Sequence, residues 1–219
     1  AFVNILPYGD IIKPFLKTDA ITANDIKFFL AKKGIFTKNA DIKKLIDLMT
    51  SLLFSPKELE DFKSYIDVKG SQGTVVMFIC NHCPFVLHIV DELVRIVNDY
   101  RVQGIGFVAI SSNDTISYPE DAPDKMTEFA FNNKFDFPYL YDESQEVAKM
   151  YDAACTPDIY LFNKRDELVY RGQLDDSRPQ NGISISGSDL RGAIDSLLYN
   201  RSINPVQKPS IGCNIKWKK

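Results

Sequence analysis

The segment FICNHCPFV, residues 78–86, holds three side chains whose types and spacing could do chemistry: Cys80, His82 and Cys83. Two cysteines separated by two residues are typical of a redox dithiol, in which one thiolate attacks and the second thiol closes a disulfide. The histidine between them could stabilise a thiolate when protonated, or cap the loop. The spacing leaves open which of the two cysteines attacks.

The flanking sequence predicts that Cys83 opens a helix. TVVMFI (74–79) is typical of a buried strand, and PFVLHIVDELVRIVNDY (84–100) has helical spacing beginning at Pro84, a favourable first helical residue. The positive end of the helix dipole and its free N–H groups stabilise a thiolate there. Burial at the strand end would instead raise the pKa of Cys80. We therefore predict Cys83 as the nucleophile, with a structural or metal-binding cysteine as the alternative.

The rest of the chain from about residue 70 alternates strand and helix patterns. The predicted strands are 105–112, 158–163 and 167–174, and the predicted helices are 123–134, 143–153 and 189–200. The face of the 84–100 helix that we expect to point inward consists of Leu87, Val90, Leu93, Val94 and Val97. This order of elements predicts an α/β fold with a central mixed sheet flanked by helices.

Composition is that of a globular protein with a thiol site. The 219 residues are 45% hydrophobic and 25% charged, with a net charge of −3 that gives no push toward nucleic acid or membrane. No apolar run approaches the roughly 18–20 residues of a membrane span, and no signal peptide is visible at the N-terminus. Four cysteines are too few for a disulfide scaffold. This favours the cytoplasm and leaves export to the periplasm open.

Residues 1–66 have a different character and predict a small, all-helical domain of unknown role. A capping pair at Thr22 and Asp25 starts one helix, and Ser55-Pro56-Lys57-Glu58 is a capping box for another. The stretch DIKFFLAKKGIFTKNADIKKLIDLM (25–49) weakly resembles a SAP-type helical hairpin, a module that often binds DNA. The alternative is a helical domain that packs on its neighbour or recruits a protein partner.

Nucleic-acid binding is not what we expect of this segment. Its lysines are interpreted as solvated helix faces; those in the helical patterns are Lys27, Lys32, Lys33, Lys43 and Lys44. The segment has no arginine, which is the better fork for phosphate. A helical domain that packs on its neighbour or on a protein partner is therefore expected instead, and both alternatives stay open.

The motifs of the second part resemble a thioredoxin-like family related to the peroxiredoxins, the alkyl hydroperoxide reductase/thiol-specific antioxidant group. They are CNHCPFV, FVAISSND, SYPEDAPDKM, FPYLYDESQEVAKMYDAACTPDIYLF, YRGQLDDSRP and QKPSIGCNIKW. The resemblance implies a thioredoxin-like fold over residues 68–219. The mixed apolar and polar residues of the tail at 203–219, which include Trp217, indicate that it can wrap back onto the domain. The strand and hairpin that usually precede this core are not recognisable in residues 1–66.

The resemblance also implies roles around the nucleophile. Cys83-Pro84 is similar to the Cys-Pro of the peroxiredoxin motif T-x-x-C-P, with Cys80 in the place of its threonine. Thr156 is similar to the residue before a cis-proline that faces the attacking cysteine, which implies that Pro157 is cis.

Supporting residues are implied with alternatives left open. Peroxiredoxins hold an arginine beside the nucleophile; Arg171 and Arg178 are the candidates, and the alternative for each is an ordinary ion pair. Cys155 and Cys213 are the candidate resolving cysteines besides Cys80. The alternatives are a small buried residue for Cys155 and an inert thiol in a docked tail for Cys213.

These inferences predict a thiol-disulfide oxidoreductase or a peroxiredoxin-like antioxidant that acts on a peroxide or disulfide. A thioredoxin-like protein or a small thiol would be its reductant, and no cofactor is expected. The alternative is a thioredoxin-fold copper- or zinc-binding protein for metal delivery, with Cys80, His82 and Cys83 as ligands, since thiolates favour these metals. A third hypothesis is a catalytically silent scaffold whose N-terminal helices recruit a partner.

Overall fold

The structure, a computed structural model, describes residues 2–4 and 62–219. The strands of this part are β1 (Phe2–Asn4), β2 (Phe62–Ser64), β3 (Gly73–Phe78), β4 (Ile105–Ser111), β5 (Tyr139–Tyr141), β6 (Cys155–Thr156), β7 (Asp158–Asn163), β8 (Leu168–Gly172) and β9 (Cys213–Asn214). The helices are α1 (Tyr65–Val68), α2 (Pro84–Arg101), α3 (Pro123–Asn132), α4 (Glu146–Met150) and α5 (Ser188–Leu198), with a 3₁₀ turn at Pro119–Asp121.

One large mixed sheet organises the fold, with strand order β2-β1-β5-β4-β3-β7-β8. Its interior strand β3 pairs in parallel with β4 and antiparallel with β7, and all six of its residues are buried. Successive side chains of a strand point to opposite faces, so Val75 and Met77 enter one core while Val76 and Phe78 enter the other. The predicted mixed sheet between helical layers is confirmed.

The two faces of the sheet are covered by different helices. α2 and α5 contribute to the core that contains Val75 and Met77. α1 and α4 contribute to the core that contains Val76 and Phe78. Each helix buries one apolar face, because residues three or four apart lie on the same side of a helix. The two cysteines of the opening motif, Cys80 and Cys83, belong to the α2 side.

The inward face of α2 differs in part from the prediction. Val90, Leu93 and Val97 are buried as expected, but Leu87 is 51% exposed, so its predicted inward position is wrong. The buried stripe starts at Val86 instead. One residue is about 100° of rotation around a helix, which turns Leu87 away from the sheet.

Of the predicted N-terminal domain at 1–66, only residues 2–4 and 62–66 lie within the described residues. The predicted helices and the SAP-type hairpin lie outside the described residues. The described pieces at 2–4 and 62–64 are strands that pair in parallel, and β1 also pairs with β5 at Phe2↔Tyr141. α1 spans the predicted boundary near residue 66, and its Tyr65 and Val68 are buried against the sheet. The edge of β5 offers unpaired backbone groups that β1 satisfies.

The C-terminal tail docks on the domain. β9 pairs antiparallel with β6, so Cys213 lies opposite Thr156. A Cβ at Gly212 would lie 2.0 Å from the Thr156 carbonyl oxygen, so only glycine allows this approach. Ile215 is buried at 3% exposure, and the Lys216 carbonyl accepts the Asp114 N–H at 2.8 Å. The tail therefore wraps back, as the sequence predicted.

Among the helices of the described residues, none is long and apolar enough to cross a membrane.

Replacing Ile215 by alanine tests how much the docked tail stabilises the fold. We expect Ile215→Ala to lower the free energy of unfolding by about 2–4 kcal/mol, because it leaves a cavity in the core next to α4. Ile211→Ala is the matched control, since Ile211 is 54% exposed in the same tail and should change stability little. Urea denaturation measures both; equal small effects would mean that the tail is not docked in solution.

Candidate active site

Cys80 and Cys83 lie in the connection between β3 and α2. The pairing of β3 with β4 extends to Ile79, whose N–H donates to the Ile110 carbonyl at 2.9 Å. Cys83 is the N-cap of α2, and its carbonyl accepts the Leu87 N–H at 2.9 Å. Both cysteines are buried, at 1% exposure for Cys80 and 0% for Cys83. The structure thus places Cys83 at the start of the helix, as the sequence predicted.

Hydrogen-bond donors surround the Cys83 sulfur. The thiol of Cys80 donates to it and is the largest influence that lowers the pKa of Cys83. The Thr156 hydroxyl and the backbone N–H groups of Cys213 and Val86 lower this pKa further, while burial opposes them. Hydrogen bonds to a charged form favour that form, so the net direction is well below the usual range of a thiol. Cys83 is the thiol of the pair that ionises first.

The Cys80 thiol has the opposite tendency. Its hydrogen bond to Cys83 raises the pKa of Cys80 the most, followed by burial and by the negative charge of Asp121. The Thr156 hydroxyl lies 3.4 Å from the Cys80 sulfur and lowers that pKa in part. Because the pKa of Cys83 is lowered and that of Cys80 is raised, Cys83 loses its proton first and Cys80 keeps its own.

The loop that faces the two cysteines contains the cis peptide bond Thr156-Pro157. Pro157 is therefore cis, as the family resemblance implied. The Thr156 carbonyl oxygen lies 3.0 Å from the Cys83 sulfur and accepts a hydrogen bond from its protonated thiol. Because a carbonyl oxygen only accepts, this single contact opposes ionisation of Cys83, against the several donors that favour it.

The two remaining cysteines lie near the site but differ in their contacts. Burial, followed by the neighbouring Cys83 thiol, raises the pKa of Cys213. Cys155 is 9% exposed, and its thiol donates to the Pro157 carbonyl at 3.5 Å. Burial, followed by the charge of Asp158, raises the pKa of Cys155 to about 12. Cys213 lies opposite Thr156, whose carbonyl contacts the Cys83 sulfur.

His82 is paired with a carboxylate that the sequence analysis did not single out. Its Nδ1 atom lies 2.8 Å from Oδ2 of Asp121, which has no exposed surface. The His82 ring stacks on Tyr118 with centroids 5.8 Å apart. Asp121 also accepts hydrogen bonds from the Asn81 N–H at 2.8 Å and the Asn113 amide at 2.7 Å.

The motif SYPEDAPDKM contains Asp121, but nothing within that motif indicates its partners. It lies about 40 positions along the chain from Asn81 and His82, so only the packing of the 3₁₀ turn against the β3–α2 loop brings them together. A pair of acidic residues before a helix is otherwise an ordinary helix-start signal.

The two candidate arginines are engaged elsewhere. Arg171 pairs with Asp152 and Asp158, both at 3.3 Å, and stacks on Tyr160. Arg178 donates to the carbonyl of Asp175 at 2.7 Å and that of Ser177 at 2.6 Å, and it also bonds to Gln173. Among the contacts of the described residues, neither guanidinium reaches Cys83. Arg178 does line a small cavity with Pro157 and His88.

Comparison with known proteins gives the family. A model of the AhpC/TSA family matches residues 54–171, which is more than half of the chain, and the chain belongs to this family. A model of the GAPS4b protein N-terminal domain matches residues 10–72, a segment mostly outside the described residues. No curated protein matches the chain.

Solved structures confirm the thioredoxin-like fold. An uncharacterized conserved protein from Geobacillus kaustophilus is 60% identical with a TM-score of 0.69, covering 70% of this chain and 81% of that one. A hypothetical protein from Sinorhizobium meliloti is 46% identical with a TM-score of 0.69, covering 70% and 84%. A thioredoxin-like protein in its oxidized form is 18% identical with a TM-score of 0.50, covering 62% and 84%, and indicates the fold alone.

The pH dependence of Cys83 alkylation tests the donor arrangement. Because its pKa is lowered, the Cys83 thiolate should react with iodoacetamide at a pH midpoint below the value of about 8.5 for a free thiol. Cys80→Ala should move the midpoint upward, because it removes the largest hydrogen bond to the thiolate, whereas Cys155→Ala should not. Mass spectrometry of chelator-treated, reduced protein follows the reaction. An unchanged midpoint in Cys80→Ala would contradict the proposed donor.

Proposed function

We propose that this member of the AhpC/TSA family is a thiol-disulfide oxidoreductase in which Cys83 is the nucleophile and Cys80 the second thiol. Family membership supports a thiol redox role in general. The observation that carries the finer proposal is the position of Cys83 at the N-cap of α2, where the Cys80 thiol is the largest influence that lowers its pKa. The sulfurs of both cysteines contact Thr156, at 3.0 Å for Cys83 and 3.4 Å for Cys80, so the two thiols lie at one place in the fold.

The reaction divides between two thiols of opposite acidity. The Cys83 thiolate attacks one sulfur of a substrate disulfide, forms a mixed disulfide and releases the other sulfur as a thiolate. Cys80 then loses its proton to that leaving thiolate and attacks the Cys83 sulfur, which closes the Cys80–Cys83 disulfide and releases the second substrate thiol. A lowered pKa suits the first attacker. The raised pKa of Cys80 keeps it protonated, as a donor to Cys83, until its turn.

Disulfide exchange is favoured over peroxide reduction by what stands beside Cys83. The threonine hydroxyl that peroxiredoxins offer to a peroxide is replaced by Cys80. Arg171 and Arg178 are paired with acidic side chains and carbonyls instead of with Cys83. Peroxide reduction remains the second candidate, supported by Cys83-Pro84: the thiolate would take one oxygen as a sulfenic acid, and Cys80 would condense with it to release water.

Access to Cys83 requires a local movement, because its side chain has no exposed surface. β6 and β9 pair over two residues each, and local opening of this pairing, which would separate Cys213 from Thr156, is the movement that we propose. Cys213 is of intermediate exposure while Cys80, Cys83 and Cys155 are buried. A reductant would therefore contact the Cys213 thiol first.

The partners follow from this chemistry. A disulfide substrate oxidises the site, and a thioredoxin-like protein or a small thiol reduces it again. A protein partner for residues 1–66 and a cytoplasmic location stay predictions. Deleting residues 1–66 would also remove Tyr65, which is buried in the core, so a recruitment role is better tested by substituting lysines of the segment.

Substituting the nucleophile tests the proposed reaction. Cys83→Ser should reduce turnover of a model disulfide, assayed with a small dithiol as reductant, on the order of a hundredfold or more, because a hydroxyl does not ionise near neutral pH. Cys155→Ser is the matched control and should retain turnover. The same pair of variants assayed with hydrogen peroxide compares the two candidate substrates. Full disulfide turnover by Cys83→Ser would sink the assignment.

A trapping experiment identifies the second thiol. With Cys80→Ser, the mixed disulfide between Cys83 and a small disulfide substrate should accumulate, because the thiol that resolves it is missing. With Cys213→Ser, the Cys80–Cys83 disulfide should form normally. Peptide mass spectrometry under non-reducing conditions reads out both. Accumulation in Cys213→Ser but not in Cys80→Ser would assign the resolving role to Cys213 instead.

A further inference from the structure

A second group of ligand atoms lies directly behind the dithiol. The sulfur of Cys80, a ring nitrogen of His82 and a carboxylate oxygen of Asp121 all lie within 4.8 Å of one another. Cys80 and Asp121 are buried, and His82 is partly so. The three side chains come from the β3–α2 loop and from the 3₁₀ turn at Pro119–Asp121, two segments fixed to each other by the Asn81–Asp121 hydrogen bond.

Two of these side chains have lone pairs that can still bind a metal ion. Nδ1 of His82 is buried and makes no directed hydrogen bond among the described residues, although it lies 2.8 Å from Asp121. With its proton on Nε2, His82 presents a lone pair at this atom. Oδ1 of Asp121 accepts one N–H, from Asn81, and Oδ2 accepts the Asn113 amide. A carboxylate has about four acceptor positions, so both oxygens can still bind a cation.

The charge balance of this group also favours a cation. Asp121 is a fully buried carboxylate. The side chains near it include His82, Asn113, Cys80 and the Tyr139 phenol, with Glu120 3.8 Å from the His82 ring. Its negative charge acts on Cys80. A divalent cation between a Cys80 thiolate and the Asp121 carboxylate would leave the buried group neutral, and buried charges are stable only when paired or metal-bound.

We propose that Cys80, His82 and Asp121 form a binding site for Zn²⁺. The set combines one sulfur, one nitrogen and one oxygen, all of which zinc accepts in tetrahedral sites. Copper(I) prefers sulfur and nitrogen without a carboxylate, and magnesium and calcium prefer oxygen alone. Three protein ligands leave a fourth position for water or another ligand.

Zinc binding and the proposed disulfide exclude each other, because both use Cys80. Binding of Zn²⁺ replaces the proton of the Cys80 thiol, which is released to solvent. When a disulfide substrate oxidises the site, the Cys80 and Cys83 sulfurs bond to each other, two substrate thiols leave, and the zinc loses its sulfur ligand. Zinc would thus inhibit exchange reversibly and would be displaced by oxidation. The site itself does not depend on the proposed function.

Metal titration of the reduced, chelator-treated full chain tests the proposal. We expect one equivalent of Zn²⁺ to bind, and Co²⁺ to bind in its place with a sulfur-to-cobalt charge-transfer band. His82→Gln should weaken Zn²⁺ binding at least about tenfold, and its matched control is His88→Gln, the substitution of the other histidine. Cys80→Ser should remove the cobalt band, and Cys155→Ser should keep it. His82 is partly exposed, so its substitution should leave the fold intact.

The outcomes separate the two proposals of this site. No binding of equimolar Zn²⁺, or binding that is equal in His82→Gln and His88→Gln, would overturn the zinc site and leave disulfide exchange untouched. Binding lost in Cys213→Ser but kept in His82→Gln would indicate a site made of thiols alone, which also overturns it. Release of bound Zn²⁺ on formation of the Cys80–Cys83 disulfide would support it.

Discussion

The approach of the Thr156-Pro157 loop to the start of α2 is the contact on which the site depends. It sets the Thr156 carbonyl 3.0 Å from the Cys83 sulfur and the Thr156 hydroxyl 3.4 Å from that of Cys80. The same loop forms β6, on which β9 docks, so it also determines where Cys213 lies. One loop thus positions three of the four thiols.

This arrangement gives the two cysteines of one motif opposite pKa shifts. Cys83 collects donors from the helix N-terminus, from Cys80 and from the tail, all of which stabilise a thiolate. Cys80 faces the buried Asp121 and is held as a neutral thiol. The direction of each pKa shift follows from position, because the two residues have the same side chain. The Asp121 side of the motif is also what makes Cys80 a metal ligand candidate.

Much of the fold follows from local pattern. The strands 73–78, 105–111 and 158–163 and the helix 84–101 lie within a few residues of their predicted bounds, because buried strands and long amphipathic helices carry strong periodic signals. Leu87 shows the limit: an apolar residue at the margin of a helical stripe can fall on either side of it. Asp121 shows a second limit of local pattern: its partners lie about 40 positions away along the chain, so its role at the site could not be predicted.

The sequence by itself determined the thioredoxin-like class and the position of Cys83 at a helix start, because these depend on neighbours along the chain. Only the tertiary structure decided which distant groups meet there. Cys213 reaches Cys83 through the β6–β9 pairing, Asp121 reaches His82 through the 3₁₀ turn, and Arg171 and Arg178 are drawn to other partners. Contacts between distant segments arise from packing of the whole chain, which no local spacing encodes.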